Sequence, residues 1–366
     1  MRRIARHALT YFATAGIILL LIAGILLLSL IDKYNETRRL DLVHTIATTT
    51  SLALGQTLLI AGVTTYIATR RSYTPPPLPA IPRVKAVALI PAYNEEGRVG
   101  HVVEKAKKYV DLVIVVDDGS KDKTAEEAEK AGALVIRHPQ NMGYGAAVKT
   151  LMRAALASGA QYAVLLDADG QHNPDDIPKF IKALEDGAEM AVGNRFRLSK
   201  VPTYRKLGIY AIRLALRLFG VRTGDPENGY RAFTNKALTE LEPALQEIWM
   251  GISSQTVYLA HKKKLRIREV DTAVTYGTGT STENPISHGL SIIWTLAWTW
   301  LTENPVRTLG LGVASLAFSA VLLSIAMALF NVTRYIRLTY TTAGILLEVI
   351  GTILLAIGIT AASIKR

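Results

Sequence analysis

Four stretches of this chain are long and apolar enough to cross a lipid bilayer, and they limit what the chain can fold into. They run from Ala8 to Ile31, from Thr45 to Thr69, from Thr308 to Thr333 and from Leu338 to Ile364. Only the last contains a charged residue, Glu348, which we expect to be protonated or paired with a polar group such as Gln56 or a threonine of the second stretch. The sequence therefore predicts an integral membrane protein with four spans.

The net charge of the chain limits the classes of partner that it is expected to bind. The 366 residues carry a net charge of +12 and are 49% hydrophobic. A basic excess of this size indicates nucleic acid, a membrane surface or a phosphorylated substrate, and the four spans favour the last two. We therefore expect no nucleic-acid partner. The chain has no cysteine, which excludes a disulfide framework and thiolate metal sites.

The spans and the composition between them define five regions. We predict an N-terminal transmembrane hairpin (residues 1–70), a proline-rich linker (71–83), a middle domain (84–283), an interfacial tryptophan-rich helix (284–305) and a C-terminal transmembrane hairpin (306–366). Two spans precede the middle domain and two follow it, so both termini and this domain are expected on the same side of the membrane. More Lys and Arg residues flank the spans on that side than on the other, which predicts a cytoplasmic middle domain.

The tryptophan-rich region leaves an alternative open. Its sequence PISHGLSIIWTLAWTWLTENP, residues 285–305, has an apolar part that is short for a span. Trp294, Trp298 and Trp300 are typical of the membrane–water interface. We expect this region to lie flat or partly inserted, and a fifth span is the alternative.

From Val84 the chain alternates apolar runs, polar loops and helical patterns. The runs and their loops are VKAVALIPAYNEE, LVIVVDDGS, ALVIRHPQNMGYG, YAVLLDADG and EMAVGNRF. The intervening helices are predicted to end near Tyr109, Ala131, Ala157 and Leu184. Continuous Val, Ile and Leu runs alternating with helices predict an α/β domain with a mostly parallel sheet, buried on both faces. Ligands of such sheets collect at the carboxyl ends of the strands, where each of these polar clusters lies.

The segment VLLDADGQHNPDD, residues 164–176, places Asp167 and Asp169 two residues apart just after a buried apolar run. Two carboxylates at the end of a buried strand require neutralisation. Hard oxygen ligands with Gln171 nearby suit Mg²⁺ or Mn²⁺ better than zinc. The alternative is a polar turn with Asp175 or Asp176 as the helix cap.

Two further loops end the first two predicted strands. PAYNEE (Pro91–Glu96) and VDDGS (Val116–Ser120) supply carboxylates without a matching cationic cluster. Carboxylates accept hydrogen bonds from hydroxyls and base N–H groups, so these loops suit a nucleoside. Ordinary turn and cap chemistry is the alternative.

The order of these motifs resembles a known family. PAYNE, DDGS, NMGYGAAV, DADGQH, GNRF and NGYRAF occur in the same order in processive and polyprenyl-phosphate glycosyltransferases with the inverting GT-A fold. The resemblance is strongest to dolichyl-phosphate mannosyltransferases and their polyprenyl-phosphate hexose relatives, and it covers about Val84 to Thr275. It implies a Rossmann-like GT-A catalytic domain that uses a nucleotide sugar.

The resemblance also implies roles for particular residues. The nucleotide would be contacted by Pro91, Tyr93, Glu95 and Asp118, the ribose and diphosphate by Asp167 and Ala168, and the metal by Asp167, Asp169 and Gln171. Arg195, in GNRF, would lie beside the transferring phosphate.

A lipid phosphate acceptor needs cations rather than a general base, because its oxygen is already anionic near neutral pH. Arginines suit this task because they stay charged and donate two hydrogen bonds to phosphate. Residues 201–220 predict a basic amphipathic helix in the membrane interface, with a surface helix of the domain as the alternative. Arg195 and Arg205 are predicted to guide the lipid phosphate. The resembling mannosyltransferases place a serine about four positions after the second arginine, whereas this chain has Leu207, Gly208 and Ile209.

The predicted function is metal-dependent transfer of a hexose from a sugar nucleotide to dolichyl or polyprenyl phosphate with inversion. GDP-mannose is favoured by the resemblance, with UDP-glucose or UDP-N-acetylglucosamine as alternatives. If the acceptor were instead the hydroxyl of a lipid-linked glycan, Asp225 or Glu227 would be the candidate base. A non-catalytic sugar-nucleotide-binding scaffold and a transporter are further alternatives, although four spans without an internal repeat disfavour the transporter.

Overall fold

A computed structural model describes most of the chain. The described residues are 2–37, 47, 48, 50–52, 54–58, 60, 61, 75–196, 198, 210, 213, 216, 217, 220, 221, 223–245, 251–273, 295, 297–302, 304–328 and 334–364. The chain divides into two compact units. One is Tyr73–Ala297, and the other combines Met1–Ser72 with Trp298–Arg366.

The unit Tyr73–Ala297 is built on a seven-stranded sheet. The strands are β1 (Ala86–Ala92), β2 (Leu112–Asp117), β3 (Leu134–Arg137), β4 (Tyr162–Leu165), β5 (Met190–Asn194), β6 (Arg231–Thr234) and β7 (Ile267–Asp271). Their order across the sheet is β3-β2-β1-β4-β6-β5-β7. The pairs are parallel except that β6 is antiparallel to both of its neighbours. The predicted α/β class with a mostly parallel sheet is confirmed.

Helices cover this sheet and also form the second unit. The described helices include α1 (Arg2–Thr37), α2 (Val99–Ala106), α3 (Thr124–Lys130), α4 (Tyr144–Ala157), α5 (Ile177–Glu185), α6 (Asn235–Leu241), α7 (Ile252–Lys262), α8 (Pro305–Ala328) and α9 (Arg334–Ile364), with 3₁₀ helices at Pro174–Asp176 and Glu242–Ala244. The helix predicted to end near Leu184 is preceded by the first of these 3₁₀ turns, Pro174–Asp176. The residue that caps this turn is Asn173, not Asp175 or Asp176. The Asn173 side chain accepts a hydrogen bond from the backbone N–H of Asp175 at 3.2 Å.

The strands form where the sequence has continuous small and branched apolar residues. All seven residues of β1 are buried, because the sheet is covered on both faces. Ala88 and Ile90 of this strand belong to a core cluster that also contains Val99 and Val103 of α2 and Phe180 of α5. The core therefore fixes the position of each loop that leaves the carboxyl end of a strand.

Strand β6 was not expected from the sequence pattern. Its four residues RAFT are too few to show a periodicity, and they follow the polar segment DPENGY. It pairs with β4 on one side, Leu165 opposite Arg231, and with β5 on the other, Val192 opposite Arg231. Because β6 is antiparallel, the loop that precedes it lies at the edge of the sheet where β4 and β5 end.

The other unit contains three helices, among the described residues, that are long and apolar enough to cross a membrane: Thr14–Tyr34, Pro305–Leu322 and Ala343–Ala362. They correspond to the first, third and fourth predicted spans. Part of the second predicted span is described and helical, but most of its carboxyl half lies outside the described residues. The choice between an interfacial helix and a fifth span also falls outside them, because residues 284–294 are not described.

Polar contacts join the helices of this unit. The Gln56 side-chain nitrogen donates to Glu348 Oε1 at 2.7 Å, so the expected pairing of Glu348 with Gln56 is confirmed. Ser315 and Ser319 of α8 donate to the carbonyl oxygens of Leu347 and Gly344 of α9, each at 2.7 Å. Hydrogen bonds between helices satisfy polar groups that lipid cannot solvate.

Candidate active site

The predicted site residues follow the carboxyl ends of four strands. Pro91 is within β1, and Tyr93 and Glu95 follow it; Asp118 follows β2, the segment Asp167–Gln171 follows β4, and Arg195 follows β5. These strands are parallel to one another, so their carboxyl ends share one edge of the sheet. Tyr93 is 41% exposed there, which leaves its ring open to a ligand.

The loops after β1 and β2, predicted to hold a nucleoside, are joined by hydrogen bonds from backbone N–H groups to side-chain oxygens. The Asn94 N–H donates to Ser120 Oγ at 2.9 Å, and the Lys121 N–H donates back to Asn94 Oδ1 at 3.0 Å. Three more bonds follow the same pattern: Glu95 N–H to Thr124 Oγ1, Lys123 N–H to Glu96 Oε2 and Gly97 N–H to Glu127 Oε2. The two loops therefore form one wall, called the nucleoside wall below.

Asp118 is 3% exposed and its carboxylate faces the chain itself. Oδ1 is 2.6 Å from His138 Nδ1 and accepts the Met142 N–H at 2.9 Å, while Oδ2 accepts the Gly143 N–H at 2.8 Å. His138 Nε2 lies 2.9 Å from Thr150 Oγ1. Asp118 thus fixes the loop between β3 and α4, and its contact with a nucleotide stays a prediction.

Asp167 and Asp169 lie on the same turn after β4, with the buried Ala168 between them. Asp169 Oδ1 accepts the Gln171 backbone N–H at 2.9 Å, and Oδ2 accepts the Gln171 side-chain nitrogen at 2.6 Å. The Asp167 side chain is 30% exposed, so a ligand can reach it. Gly229 approaches it closely, because a Cβ at that position would lie 2.8 Å from Asp167 Oδ2.

The electrostatics of this edge favour a cation. The pKa of Glu95 is raised to about 7, mainly by burial; Arg98, 2.7 Å away, opposes the shift, and the Asp169 and Asp167 carboxylates add to it. Burial also raises the pKa of Asp169, and the charge on Asp167 adds to that effect. Carboxyl groups that hold protons because of one another become carboxylates when a cation is bound nearby.

The donor set fits Mg²⁺ or Mn²⁺. Among the residues that the structure describes, no group of three or more His, Cys, Asp or Glu side chains is arranged to bind one ion. Such ions are often held by one or two carboxylates with substrate phosphates supplying further ligands. Asp167 and Asp169 supply two carboxylates of this kind, and the Gln171 side-chain amide donates to Asp169.

Arg195 is held by a buried carboxylate. Its Nε donates to Asp225 Oδ2 at 2.6 Å, and its backbone N–H donates to the same oxygen at 3.2 Å. The Asp225 side chain is 0% exposed and the Arg195 side chain is 14% exposed. Asp225 and Gly229 belong to the loop before β6, so this loop contacts Arg195 and closely approaches Asp167.

Glu227, the other candidate base, accepts a hydrogen bond from the Ser254 hydroxyl. Both carboxylates that would activate a sugar hydroxyl are therefore hydrogen-bonded within the chain.

Arg231, the first residue of β6, was missed as a functional candidate although it stands in the quoted motif NGYRAF. It is 2% exposed and donates to the carbonyl oxygens of Asn228, Ser253 and Pro226 at 2.9, 2.6 and 2.7 Å. Burial lowers the pKa of Arg231, and nearby acidic groups, including Asp167, oppose that shift. Its guanidinium supplies positive charge near enough to Glu227, Asp225 and Asp167 to interact with them.

The predicted interfacial helix is described only in part. Arg205 lies outside the described residues, so its role and the helix at 201–220 stay predictions. Arg213 is described, and its guanidinium carbon lies 4.2 Å from the centroid of the Phe196 ring and 5.3 Å from that of Tyr210. These are cation–π distances. The helical residues of this segment therefore contact the residue next to Arg195.

A Rossmann-like mixed sheet with acidic loops and an arginine at the strand ends defines a GT-A type transferase. A sequence model described as glycosyl transferase family 2 matches residues 87–240. The chain belongs to this family of glycosyltransferases, and the family named from the motifs is confirmed.

Similar proteins come from several archaea. An uncharacterized protein of Methanocaldococcus jannaschii is 35% identical, over 56% of this chain and 85% of that protein. The UDP-N-acetylglucosamine–dolichyl-phosphate N-acetylglucosaminyltransferase of Methanococcus voltae is 34% identical, over 56% of this chain and 89% of that enzyme. The dolichyl-phosphate hexose transferase of Haloferax volcanii is 31% identical, over 55% of this chain and 87% of that enzyme.

Mn²⁺ binding is expected to strengthen as the pH rises from about 6 to about 8. Glu95 has a pKa of about 7, and the pKa of Asp169 is also raised, so at lower pH a cation must displace protons from this edge. Each displaced proton changes the apparent affinity by up to about tenfold per pH unit. Electron paramagnetic resonance of free Mn²⁺ over this pH range measures the dependence.

A Glu95→Gln variant is the control for this prediction, because glutamine does not titrate. Its Mn²⁺ affinity should depend less on pH than that of the wild type. A wild-type affinity that is constant across the range would contradict the prediction.

Proposed function

We propose that this chain transfers a hexose from a sugar nucleotide to dolichyl or polyprenyl phosphate, with inversion, at the cytoplasmic face of a membrane. The names of the Methanococcus voltae and Haloferax volcanii relatives support the acceptor, since both contain dolichyl phosphate. The apolar helices support a membrane location. The excess of basic residues flanking the spans on the side of the middle domain supports its cytoplasmic placement.

One observation carries the proposal. The loop from Asp225 to Gly229 contacts Arg195 at one end and approaches Asp167 at the other. An arginine suited to an anionic acceptor and a carboxylate suited to a diphosphate-bound cation are therefore joined through one short segment. Transfer between two phosphorylated substrates requires these two kinds of group in one site.

The chemistry follows from the charges. Donor binding is assigned to the nucleoside wall and to Asp167, Asp169 and Gln171. A bound Mn²⁺ or Mg²⁺ would neutralise the charge that develops on the leaving diphosphate. The acceptor phosphate is anionic near neutral pH, so no residue has to remove its proton. Arg195 and Arg205 are assigned to hold it in line with the anomeric carbon, which gives inversion.

The alternative acceptor, a sugar hydroxyl, is less well supported. A general base must reach the proton that it removes. Asp225 is fully buried against Arg195, and Glu227 accepts the Ser254 hydroxyl. This arrangement favours the lipid phosphate over extension of a lipid-linked glycan.

The identity of the sugar-nucleotide donor is the most specific part of the proposal. GDP-mannose is the donor that the motif resemblance favours, and UDP-N-acetylglucosamine is the donor in the name of the Methanococcus voltae relative. Both bases offer N–H groups to the acidic nucleoside wall. We keep GDP-mannose as the first choice and treat UDP-N-acetylglucosamine and UDP-glucose as the competing donors.

Transfer of label into lipid tests the function. Detergent-solubilised protein is incubated with Mn²⁺, dolichyl phosphate and one radiolabelled sugar nucleotide at a time, and the organic phase is counted. We expect label in the lipid with one donor of the panel, and no transfer when dolichyl phosphate or the metal is omitted. Label that enters lipid only when a lipid-linked sugar is supplied would favour extension instead.

A further inference from the structure

Asp167 has a hydroxyl partner from another element. Tyr144, the first residue of α4, donates its hydroxyl to Asp167 Oδ1 at 3.1 Å. A tyrosine hydroxyl ordinarily has a pKa of about 10, so it keeps its proton near neutral pH and remains a donor. One oxygen of Asp167 is therefore fixed by a neutral donor that no sequence motif assigned.

His172 holds the same aspartate from the other side. The Asp167 backbone N–H donates to His172 Nδ1 at 3.1 Å. Nδ1 also lies 3.5 Å from Asp167 Oδ2. The ring is 5.0 Å from Tyr230, which stacks on Phe180 at 4.2 Å and donates to the Asn173 carbonyl at 3.0 Å. His172 is thus held in place by the core.

Tyr144, like His172, is held in place by its surroundings, in this case by hydrogen bonds of the loop that precedes it. The residues just before it, Met142 and Gly143, donate their backbone N–H groups to the buried Asp118. His138, also in this loop, is bonded to Asp118 and Thr150. The position of the Tyr144 hydroxyl is therefore set by contacts of the loop between β3 and α4, not by the exposed surface.

We propose that Tyr144 and His172 are positioning residues that orient Asp167 for a divalent cation. The inference rests on the proposed function, because it takes Asp167 as a metal ligand. Side chains that hydrogen-bond a metal ligand fix its rotamer before the ion arrives, and their loss commonly weakens metal binding by about 10- to 100-fold. Tyr144 restrains the Asp167 carboxylate at Oδ1 and His172 restrains the Asp167 backbone at its N–H, while the side chain stays 30% exposed to a ligand.

Two pairs of variants test the inference in full-length, detergent-solubilised protein. Tyr144→Phe removes the hydroxyl only, and Tyr109→Phe is its matched control, because Tyr109 donates to Asp175 at the surface at 2.8 Å. His172→Phe keeps a ring against Tyr230 but removes the acceptor. His172→Asn keeps an acceptor, Oδ1, at the same number of bonds from the backbone.

The primary measurement is the dissociation constant of Mn²⁺, obtained from electron paramagnetic resonance of free Mn²⁺ without donor or acceptor. We expect Tyr144→Phe and His172→Phe to weaken binding about tenfold. Tyr109→Phe should match the wild type, and His172→Asn should recover most of the affinity lost in His172→Phe. In transfer assays, Tyr144→Phe should require more Mn²⁺ yet approach the wild-type kcat at saturation.

The outcomes separate this inference from the proposed function. If Tyr144→Phe and His172→Phe both bind Mn²⁺ with the wild-type affinity, the positioning role is overturned and the metal site is left intact. A wild-type protein that leaves all added Mn²⁺ free overturns the positioning role, whereas the proposed function is overturned only if no label enters lipid in the transfer assay. Equal loss in His172→Phe and His172→Asn, with a lowered thermal midpoint in each, assigns His172 to packing and overturns its positioning role.

Discussion

Asp169→Asn is expected to lower kcat for sugar transfer by about 100-fold or more, while the protein stays folded. Asparagine keeps an oxygen that can accept the Gln171 N–H, which Asp169 accepts at 2.9 Å, but it removes the negative charge that a divalent cation requires. Removal of one preorganised side chain that stabilises the leaving group typically lowers the rate by about 10²- to 10³-fold. The measurement is label entering the lipid phase at saturating donor.

Asp175→Asn is the matched control for this substitution. Asp175 lies in the 3₁₀ turn after the same loop and accepts the Tyr109 hydroxyl at the surface. It should transfer sugar at the wild-type rate. If Asp169→Asn retained the wild-type kcat at every Mn²⁺ concentration, the assignment of Asp169 to the metal would be wrong.

The second large effect is expected at the ion pair of Arg195 and Asp225. Either alanine substitution leaves the other charge buried without its partner, which typically costs about 3–5 kcal/mol. For a domain of this size such a loss corresponds to roughly 10 °C in the thermal midpoint. The double substitution should cost less than the sum of the single ones, because neither charge is then left alone.

Activity separates the two roles in this pair. The double variant is expected to regain thermal stability but not transfer, because Arg195 is assigned to the acceptor phosphate. Asp225→Asn keeps an oxygen for Arg195 Nε and should retain measurable transfer. Complete loss of transfer in a stable Asp225→Asn protein would instead indicate a general base and hence a hydroxyl acceptor.

The surface pair of Lys263 and Glu240 is the control for this double-mutant cycle. Its atoms are 2.9 Å apart with side chains 32% and 47% exposed. Exposed pairs of this kind are worth about 0–1 kcal/mol, so its alanine variants should barely shift the midpoint. A coupling at Arg195 and Asp225 no larger than this one would contradict the buried pairing.

Local patterns predicted much of the fold. Runs such as VALIP and VIVV are long enough to identify buried strands, and the helices between them end within a few residues of the predicted positions. The pairing of Glu348 with Gln56 was also predictable, because a carboxylate in an apolar helix has few polar partners within reach. In both cases the physical constraint is visible within one segment or in a small set of candidates.

Contacts between distant segments were not predictable. Tyr144 and His172 stand inside recognised motifs, yet the sequence does not reveal that both hold Asp167. Asp118 was expected to contact the nucleotide because of the motif resemblance and because its loop ends a predicted strand. Its burial against Met142 and Gly143 depends on how two loops pack, which neither loop encodes alone. Strand β6 was missed because its place in the sheet is set by partners on both sides.

The bonded loops of the nucleoside wall have a consequence for how the donor arrives. Asn94, Ser120 and Lys121 satisfy one another through hydrogen bonds within the chain. Little backbone freedom is then left to lose if the nucleotide docks at this surface as proposed, which lowers the entropic cost of association. Amide hydrogens of Asn94 and Lys121 should consequently exchange with deuterated water almost as slowly in the ligand-free protein as in the loaded one.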